Sequence, residues 1–234
     1  MKLSLVTGTR NRPTDFKRLL DSIDSYTPVS WELVVGDASD EPLECGHPNV
    51  RILPERPRLG CVKGYNRAFK ACLGEWVLYL NDDAEVCRDY ATAAIAFMEA
   101  HPQIGLGALH YSHLGDPFHV NSAWGAIYAN FGIIRRTLGN YVSWFDEDLE
   151  MYGNDNSLTF RVLLAGYGVA DIPSARLLHH CTDDVHREEN QRSRRRDNEI
   201  LRKKYWHLRD VWLKTFQRHY VKTATVSWPE GVRV

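Results

Sequence analysis

The sequence predicts an α/β fold: one domain with a mostly parallel central sheet flanked by helices, followed by a C-terminal helical extension. Two observations predict it. Through the first half of the 234 residues, short apolar runs alternate with amphipathic helical patterns, and this β-α-β-α order is typical of parallel sheets covered by helices on both faces. Within the segment Glu75–Leu80, the run Trp76–Leu80 is apolar without alternation, as expected for a strand that is buried on both faces.

The predicted elements follow this alternation from the N-terminus. Leu3–Thr7 is a strand, and the helix behind it carries apolar residues at the spacing i, i+3, i+4, i+7, with Thr14 as a candidate N-cap. The later elements are strands at Trp31–Gly36 and Val50–Leu53, a helix at about 62–72, the strand Glu75–Leu80, a helix at about 89–99 and the glycine-rich run Ile104–Leu109.

Composition and charge exclude several classes of protein. The chain has 29 Lys and Arg against 30 Asp and Glu, so a globally basic nucleic-acid-binding protein is not expected, although a local basic patch stays open. With 44% hydrophobic and 25% charged residues, the chain is not wholly disordered. No apolar run approaches the ~20 residues of a membrane helix. Five scattered cysteines without a C-x-x-C pair indicate free thiols and a cytoplasmic setting.

Polar residues follow three of the predicted strands at the point where each strand ends. They are Gly8, Thr9 and Arg10 after the first strand, Asp37 after the second, and Asn81, Asp82 and Asp83 after the strand that ends at Leu80. Because ligands of parallel sheets bind beyond the carboxyl ends of the strands, this edge is the expected site.

Asp82 and Asp83 are adjacent carboxylates, which repel each other unless a cation or hydrogen-bond donors compensate them. One interpretation is a hard divalent cation, Mg²⁺ or Mn²⁺, held jointly with the phosphates of a ligand. The alternative is a turn in which the aspartates cap the next helix. Their place at the sheet edge, beside Asp37, favours the metal.

The glycine-containing segment Gly60–Asn66 precedes a helical pattern. Its backbone N–H groups and Lys63 suit a diphosphate, because helix N-termini favour anions. The spacing is neither G-x-G-x-x-G nor a P-loop, which argues against dinucleotide-binding proteins and kinases.

Five short motifs in a fixed order resemble the family 2 glycosyltransferases of the GT-A fold. They are Val6–Pro13, Val34–Ser39, Gly60–Asn66, Leu80–Asp83, and Trp144–Glu147 taken with Gly153–Asp155. The resemblance covers residues 3 to about 180. It implies a Rossmann-like GT-A domain at 1–185, with a nucleotide-binding half at about 1–110 and an acceptor half at about 111–185, and an extension at 186–234. It also implies inverting sugar transfer from a nucleotide-diphosphate donor, favouring a UDP-sugar, to a glycan or another hydroxyl-bearing acceptor.

The resemblance implies roles for individual positions. Asp37 would bind the nucleoside, Gly8, Thr9 and Arg10 would line the nucleotide, and Lys63 and Asn66 would lie near the base and ribose. Asn81, Asp82 and Asp83 match the D-x-D-type motif, in which Asp82 would face the ribose or diphosphate and Asp83 would hold the metal. Asp155 matches the catalytic base.

Two positions depart from the family pattern. Asn81 stands at the first D-x-D position, which is a common variant, and Asn154 replaces the acidic residue before Asp155. Asn154 removes a negative charge near the acceptor and leaves the base itself in place. Asp155 has a second interpretation as a helix N-cap, and capping is compatible with catalysis.

His179 and His180 follow a strand-like run at Ala175–Leu178. Relatives in the family often place a metal-ligating histidine here. In an extended segment one of the two points to the site and the other away, and we predict His179 as the ligand, with His180 as the alternative. Both could also be plain surface histidines.

Three aromatic residues, Trp124, Trp144 and Tyr152, are candidates for an apolar platform under the sugar or acceptor, and core packing is the alternative. The basic residues at 186–204, interspersed with glutamates, are typical of a solvated helix with i,i+4 ion pairs. A basic lid over the diphosphate, or a patch for an anionic partner, is the sharper interpretation. The aromatic residues at 205–216 predict a helix packed on the domain or on a second copy in a homodimer, with peripheral membrane association as a further alternative.

The sequence leaves two other functions open. A sugar-1-phosphate nucleotidyltransferase would need a glycine-rich N-terminal loop, and Gly8–Pro13 lacks that glycine density. A sugar-nucleotide or nucleic-acid binding module without catalysis is the other alternative, for which Asn154 is the only indication.

Overall fold

The structure is a computed structural model that describes residues 2–113, 115–123, 126–181, 189 and 191–208. The strands are β1 Leu3–Thr9, β2 Trp31–Asp37, β3 Val50–Pro54, β4 Trp76–Tyr79, β5 Ala84–Val86, β6 Ile104–His113, β7 Asn121–Ala123, β8 Ala126–Tyr128, β9 Gly132–Arg135 and β10 Gly168–His179. The helices are α1 Pro13–Tyr26, α2 Cys61–Ala71, α3 Tyr90–Ala100, α4 Arg136–Tyr141, α5 Asn154–Leu164 and α6 Arg194–Tyr205. The strands and helices predicted for the first half are all present within a few residues of their predicted bounds. The predicted N-cap is wrong, because α1 begins at Pro13 and places Thr14 inside the first turn.

Eight strands form one sheet in the order β3-β2-β1-β4-β9-β6-β10-β5. The first four strands in that order are parallel to one another, and β6 is parallel to β10. The exceptions are β9, which runs antiparallel between β4 and β6, and the edge strand β5. The sheet is therefore mostly parallel, as predicted.

Two apolar cores cover the two faces of the sheet. One lies between the sheet and helices α2, α5 and α6, and the other between the sheet and helices α1 and α3. Strand β4 contributes to both, since Val77 and Tyr79 join the first core while Trp76 and Leu78 join the second. This two-sided burial is the physical reason why the strand is apolar without alternation.

The parallel pairing of β1 with its two neighbours creates the functional edge. Thr9 at the end of β1 lies opposite Asp37 at the end of β2, and Val6 lies opposite Tyr79 at the end of β4. The polar residues that follow these strands therefore meet at one edge, although Thr9 and Asp82, for example, are 73 positions apart in the chain.

Helix α6 is tied to the main domain by a buried carboxylate. Asp197 has an exposed fraction of 0%, and its two oxygens accept the backbone N–H groups of Glu150, Met151 and Tyr152 at 2.9–3.0 Å. On the next turns, Lys204 and the hydroxyl of Tyr205 contact the carboxylate of Asp146. The predicted i,i+4 ion pair is also present, on the exposed face, between Arg195 and Glu199.

Replacing Asp197 with Ala should lower the free energy of unfolding by about 3 kcal/mol, because three backbone donors lose their acceptor at once and each such loss is costly. Urea-induced unfolding measures this. Glu199→Ala on the exposed face of the same helix is the matched control, with an expected change of about 0.5 kcal/mol or less. Equal effects of the two variants would show that α6 is not part of the cooperative unit.

No helix within the described ranges is long and apolar enough to cross a membrane.

Candidate active site at the carboxyl edge of the sheet

A cleft of about 410 Å³ opens at the carboxyl edge of β1, β2 and β4. Six of the residues predicted to bind the donor or its metal line it, namely Gly8, Thr9, Arg10, Asn81, Asp82 and Asp83. The chain-distant segments that the sequence places at this edge therefore share one cavity.

Asp82 lies at the centre of a hydrogen-bond network on the cleft wall. Its Oδ2 accepts the hydroxyl of Thr9 at 2.9 Å, and its Oδ1 lies 3.2 Å from the guanidinium of Arg12. Burial raises the pKa of Asp82 to about 6, against the opposing effect of Arg12. Arg12 belongs to the first sequence motif, but sequence reasoning assigned it no role.

Asp83 faces a histidine from the other half of the sheet. Its Oδ1 lies 3.1 Å from Nε2 of His179, at the end of β10. The next residue, His180, turns the other way and contacts Glu85 at 2.8 Å. Alternation along an extended segment explains the opposite directions of the two rings. The contact supports His179 rather than His180 as the ligand beside Asp83.

The start of α2 forms part of the cleft wall. Gly60 and Cys61 line the cleft, and Gly60 adopts φ = +85°, in the region that favours glycine. The first N–H groups of a helix have no intrahelical acceptor, so this wall suits an anion. Burial raises the pKa of the Cys61 thiol to about 12, which favours its neutral form.

Two residues of α2 do not take their predicted positions. Lys63 is exposed and does not line the cleft. Asn66 is 2% exposed, donates to the carbonyl oxygen of Phe145 at 2.9 Å and accepts its N–H at 3.0 Å. The amide of Asn66 therefore joins α2 to the segment after α4, and the predicted role near the base and ribose is corrected to a structural one.

Asp37 is fully buried and holds a loop. Its oxygens accept the N–H groups of Ser39 at 3.0 Å and Leu43 at 2.9 Å. The cleft wall at this point is formed instead by Ala38 and Glu55, and burial raises the pKa of Glu55. Nucleoside binding by Asp37 stays a prediction.

Sequence reasoning did not name Glu55. Its position directly after β3, at the same carboxyl edge, is the sequence feature that could have identified it.

Asp155 lies in the first turn of α5, which begins at Asn154 after the left-handed Gly153. Its Oδ1 accepts the N–H of Asn156 and its Oδ2 accepts Nδ2 of Asn130, both at 2.8 Å. Desolvation raises the pKa of Asp155 to about 6. Both oxygens are thereby oriented, and the carboxylate is a stronger base than an exposed aspartate. Asn130, which sequence reasoning did not name, supplies this orientation.

The predicted role of Trp144 in an aromatic platform is wrong. Trp144 is 2% exposed and stacks on Phe69 with ring centroids 4.4 Å apart. Its indole also lies against Gly139, where an added Cβ would sit 2.2 Å from the ring, so Trp144 is a core residue. Tyr152 is half-buried beneath the guanidinium of Arg194. Trp124 and the aromatic positions 211–216 lie outside the described residues.

The C-terminal segment reaches the cleft with acidic and polar residues. Glu189 and Ser193 line it, and the carboxylate of Glu189 lies 2.6 Å from the guanidinium of Arg10. Glu150 and Met151, held by Asp197, line it as well. The three strand ends in the sequence do not predict this part of the cleft wall.

The residues present fit a divalent cation. Asp83 and His179 offer an oxygen and a nitrogen 3.1 Å apart, beside a second buried carboxylate, Asp82. The carboxylate oxygens, completed by phosphate oxygens, suit Mn²⁺ or Mg²⁺, and His179 would add one nitrogen ligand.

The fold is that of the GT-A class, as comparison with solved structures shows. The chain is similar to TarS residues 1–349 of S. aureus in complex with UDP-GlcNAc, with a TM-score of 0.66 at 18% identity over 80% of this chain and 61% of that chain. It is also similar to the mannosyltransferase PcManGT of Pyrobaculum calidifontis in complex with GDP-Man and Mn²⁺, with a TM-score of 0.62 at 17% identity over 80% of this chain and 59% of that chain. GalNAc-T7 with UDP, GalNAc and Mn²⁺ gives a TM-score of 0.67 at 15% identity over 78% of this chain and 44% of that chain.

Residues 4–133, more than half of the chain, match the sequence profile described as Glycosyl transferase family 2. The chain belongs to this family of glycosyltransferase enzymes. It spans less than two thirds of the length of each of these solved structures. No curated protein sequence matches it significantly.

Proposed function

We propose that the chain transfers a sugar from a nucleoside-diphosphate donor to an acceptor hydroxyl, with Asp155 as the general base and a divalent cation at Asp83 and His179. The observation that carries the proposal is the 3.1 Å contact between His179 and Asp83, which lines the same cleft as the start of α2. It unites a carboxylate and an imidazole from different halves of the sheet beside an anion-favouring helix end.

The cleft residues favour a leaving diphosphate. Arg12 carries a positive charge, and the first N–H groups of α2 lie at the positive end of the helix dipole. Both stabilise a diphosphate most strongly as negative charge develops on it. When bound, a divalent cation would neutralise further charge on the diphosphate oxygens.

Asp155 would take the proton of the acceptor hydroxyl as that oxygen attacks the sugar. Its raised pKa and its two fixed hydrogen bonds prepare it for this step. A base that acts on the face opposite the leaving group gives a single displacement with inversion. We therefore propose an inverting mechanism.

The donor nucleoside is proposed to be uridine, with guanosine as the second candidate. The resemblance favours UDP-sugars, while the similar structures were solved with UDP-GlcNAc in one case and GDP-Man in another. Calorimetric titration of the protein with UDP, GDP and dTDP, each with and without Mn²⁺, tests the donor site. Tight, Mn²⁺-dependent binding of one nucleotide supports the proposal, and no binding of any nucleotide would overturn it.

The transfer rate at saturating donor should fall about tenfold per pH unit below about pH 6, because protonated Asp155 cannot accept a proton. Above pH 6 the rate should be constant until another group titrates. Asp82 also has a pKa of about 6, so its protonation is followed separately as a change in the Kd of the nucleotide. A rate that stays constant down to pH 5 at saturating donor would contradict the assignment of the base.

A further inference from the structure

Three metal-ligating side chains meet at the ends of β6 and β10. His113, His179 and Cys181 each offer a ligand atom, and these atoms all lie within 4.8 Å of one another. The Sγ of Cys181 is 2.9 Å from Nδ1 of His113 and 3.4 Å from Nδ1 of His179. In His179 the sulfur is nearer to Nδ1 than to Nε2, which lies 3.9 Å away.

The sheet register explains why these residues meet. His113 and His179 lie opposite each other in the parallel pairing of β6 with β10, and residues paired in this way have their side chains on the same face. Cys181 follows two residues later with φ = 52°. This left-handed conformation is unfavourable for a residue other than glycine, and backbone strain of this kind clusters at functional sites.

The other nitrogen of His179 is held by a carboxylate. Its Nε2 lies 3.1 Å from Oδ1 of Asp83, while the rings of Phe131 and Tyr111 lie against the imidazole at 5.2 and 5.9 Å. A metal-ligating histidine almost always donates its second ring N–H to a carboxylate, carbonyl or water, which fixes the tautomer. With the proton on Nε2, the lone pair is left on Nδ1, the ring nitrogen nearer to Cys181.

We propose that His113, His179 and Cys181 bind a thiophilic divalent cation of the Zn²⁺ type. One thiolate and two imidazoles are ligands that Zn²⁺ prefers, and three protein ligands leave a fourth position open for water or another group. Mg²⁺ and Mn²⁺ prefer oxygen ligands. The chemistry of this cluster therefore differs from that of the site expected at Asp83.

Occupancy of this cluster has a consequence for the donor site, and that consequence rests on the proposed function. A neutral imidazole has one lone pair. When Nδ1 of His179 binds the thiophilic cation, Nε2 keeps its proton and cannot ligate the donor cation. Zn²⁺ should then weaken Mn²⁺-dependent nucleotide binding through its effect on His179 and not by competing directly with the nucleotide.

Titration with Co²⁺, a spectroscopic substitute for Zn²⁺, tests the proposal on protein without a polyhistidine tag and without nucleotide. We expect a thiolate-to-cobalt charge-transfer band that saturates at one equivalent and disappears when Zn²⁺ is added. Cys181→Ser should abolish the band and weaken Zn²⁺ binding by about tenfold or more, since even indirect supporting contacts of a metal site contribute about 10–100-fold in affinity. Cys87→Ser, which alters another half-buried thiol, should leave both unchanged.

His113→Gln is the second variant, and it should weaken Zn²⁺ binding by a similar factor while circular dichroism confirms the fold. Absence of the band in the wild type, or its persistence in Cys181→Ser, would overturn the proposal. Zn²⁺ binding that neither variant weakens would also overturn it. Because no nucleotide is present, these outcomes do not depend on the donor site, and Mn²⁺-dependent nucleotide binding tests that site separately.

Discussion

Replacing Asp155 with Asn should reduce the transfer rate by about 10²–10⁴, the usual contribution of a general base, and leave the Kd of the donor nucleotide unchanged. An amide cannot accept the proton of the acceptor hydroxyl. Asp155 does not line the donor cleft, so its charge is not part of the walls that hold the nucleotide. Single-turnover rates at saturating donor, together with calorimetric Kd values, measure the two effects separately.

Asn130→Ala is the informative control for this variant. It removes the 2.8 Å hydrogen bond to Oδ2 of Asp155 but keeps the carboxylate. Because that bond favours the ionised form, its loss should move the acid limb of the pH profile to higher pH and reduce the rate less than Asp155→Asn does. If Asn130→Ala and Asp155→Asn reduced the rate equally, Asp155 would be a structural residue and another group would be the base.

The fold could be predicted largely from strand patterns, because a strand that is buried on both faces is apolar at every position of the sequence. The apolar β4 and the helices of the first half are direct consequences of that burial. The antiparallel β9, inserted between β4 and β6, could not be predicted. Its position depends on which strands pair across the middle of the sheet, and no periodic pattern records that choice.

The donor side of the site was predictable for a related reason. Strand ends that share one edge bring Thr9 and Asp82 together, and the 2.9 Å hydrogen bond between them confirms the rule. Residue type alone was a poorer guide. Trp144 and Asn66 look like binding residues in the sequence, but both are buried in structural contacts. Their roles are decided by packing partners far away in the chain.

The cluster of His113, His179 and Cys181 shows the limit of sequence reasoning. Sixty-six positions separate His113 from His179 in the chain, and only the register of β6 with β10 sets them side by side. Asp197 is a similar case, since its three backbone partners precede it by 45–47 positions. In both cases the geometry depends on long-range pairing, and the residues carry no local motif.

Replacing Asp83 with Asn should remove the Mn²⁺-dependent part of nucleotide binding. The amide keeps the size of the side chain but loses the negative charge that a hard cation requires. We expect the Kd of the nucleotide in the presence of Mn²⁺ to rise by about 100-fold or more, beyond the range typical of indirect supporting contacts. Binding without Mn²⁺ should change little, because Arg12 and the start of α2 stay in place.

The chain provides a matched pair of controls for this experiment. Glu85 follows Asp83 by two residues, and His180 follows His179 by one. The carboxylate of Glu85 and the imidazole of His180 are in contact at 2.8 Å, on the side turned away from the Asp83–His179 contact. Glu85→Gln should therefore leave Mn²⁺-dependent binding intact, while His179→Gln should weaken it and His180→Gln should not. If the Glu85 and His180 variants had the larger effect, the cation would lie on the opposite side of the segment. Since alternation at the end of β10 turns His179 and His180 to opposite sides, the comparison of their variants decides which side binds the metal.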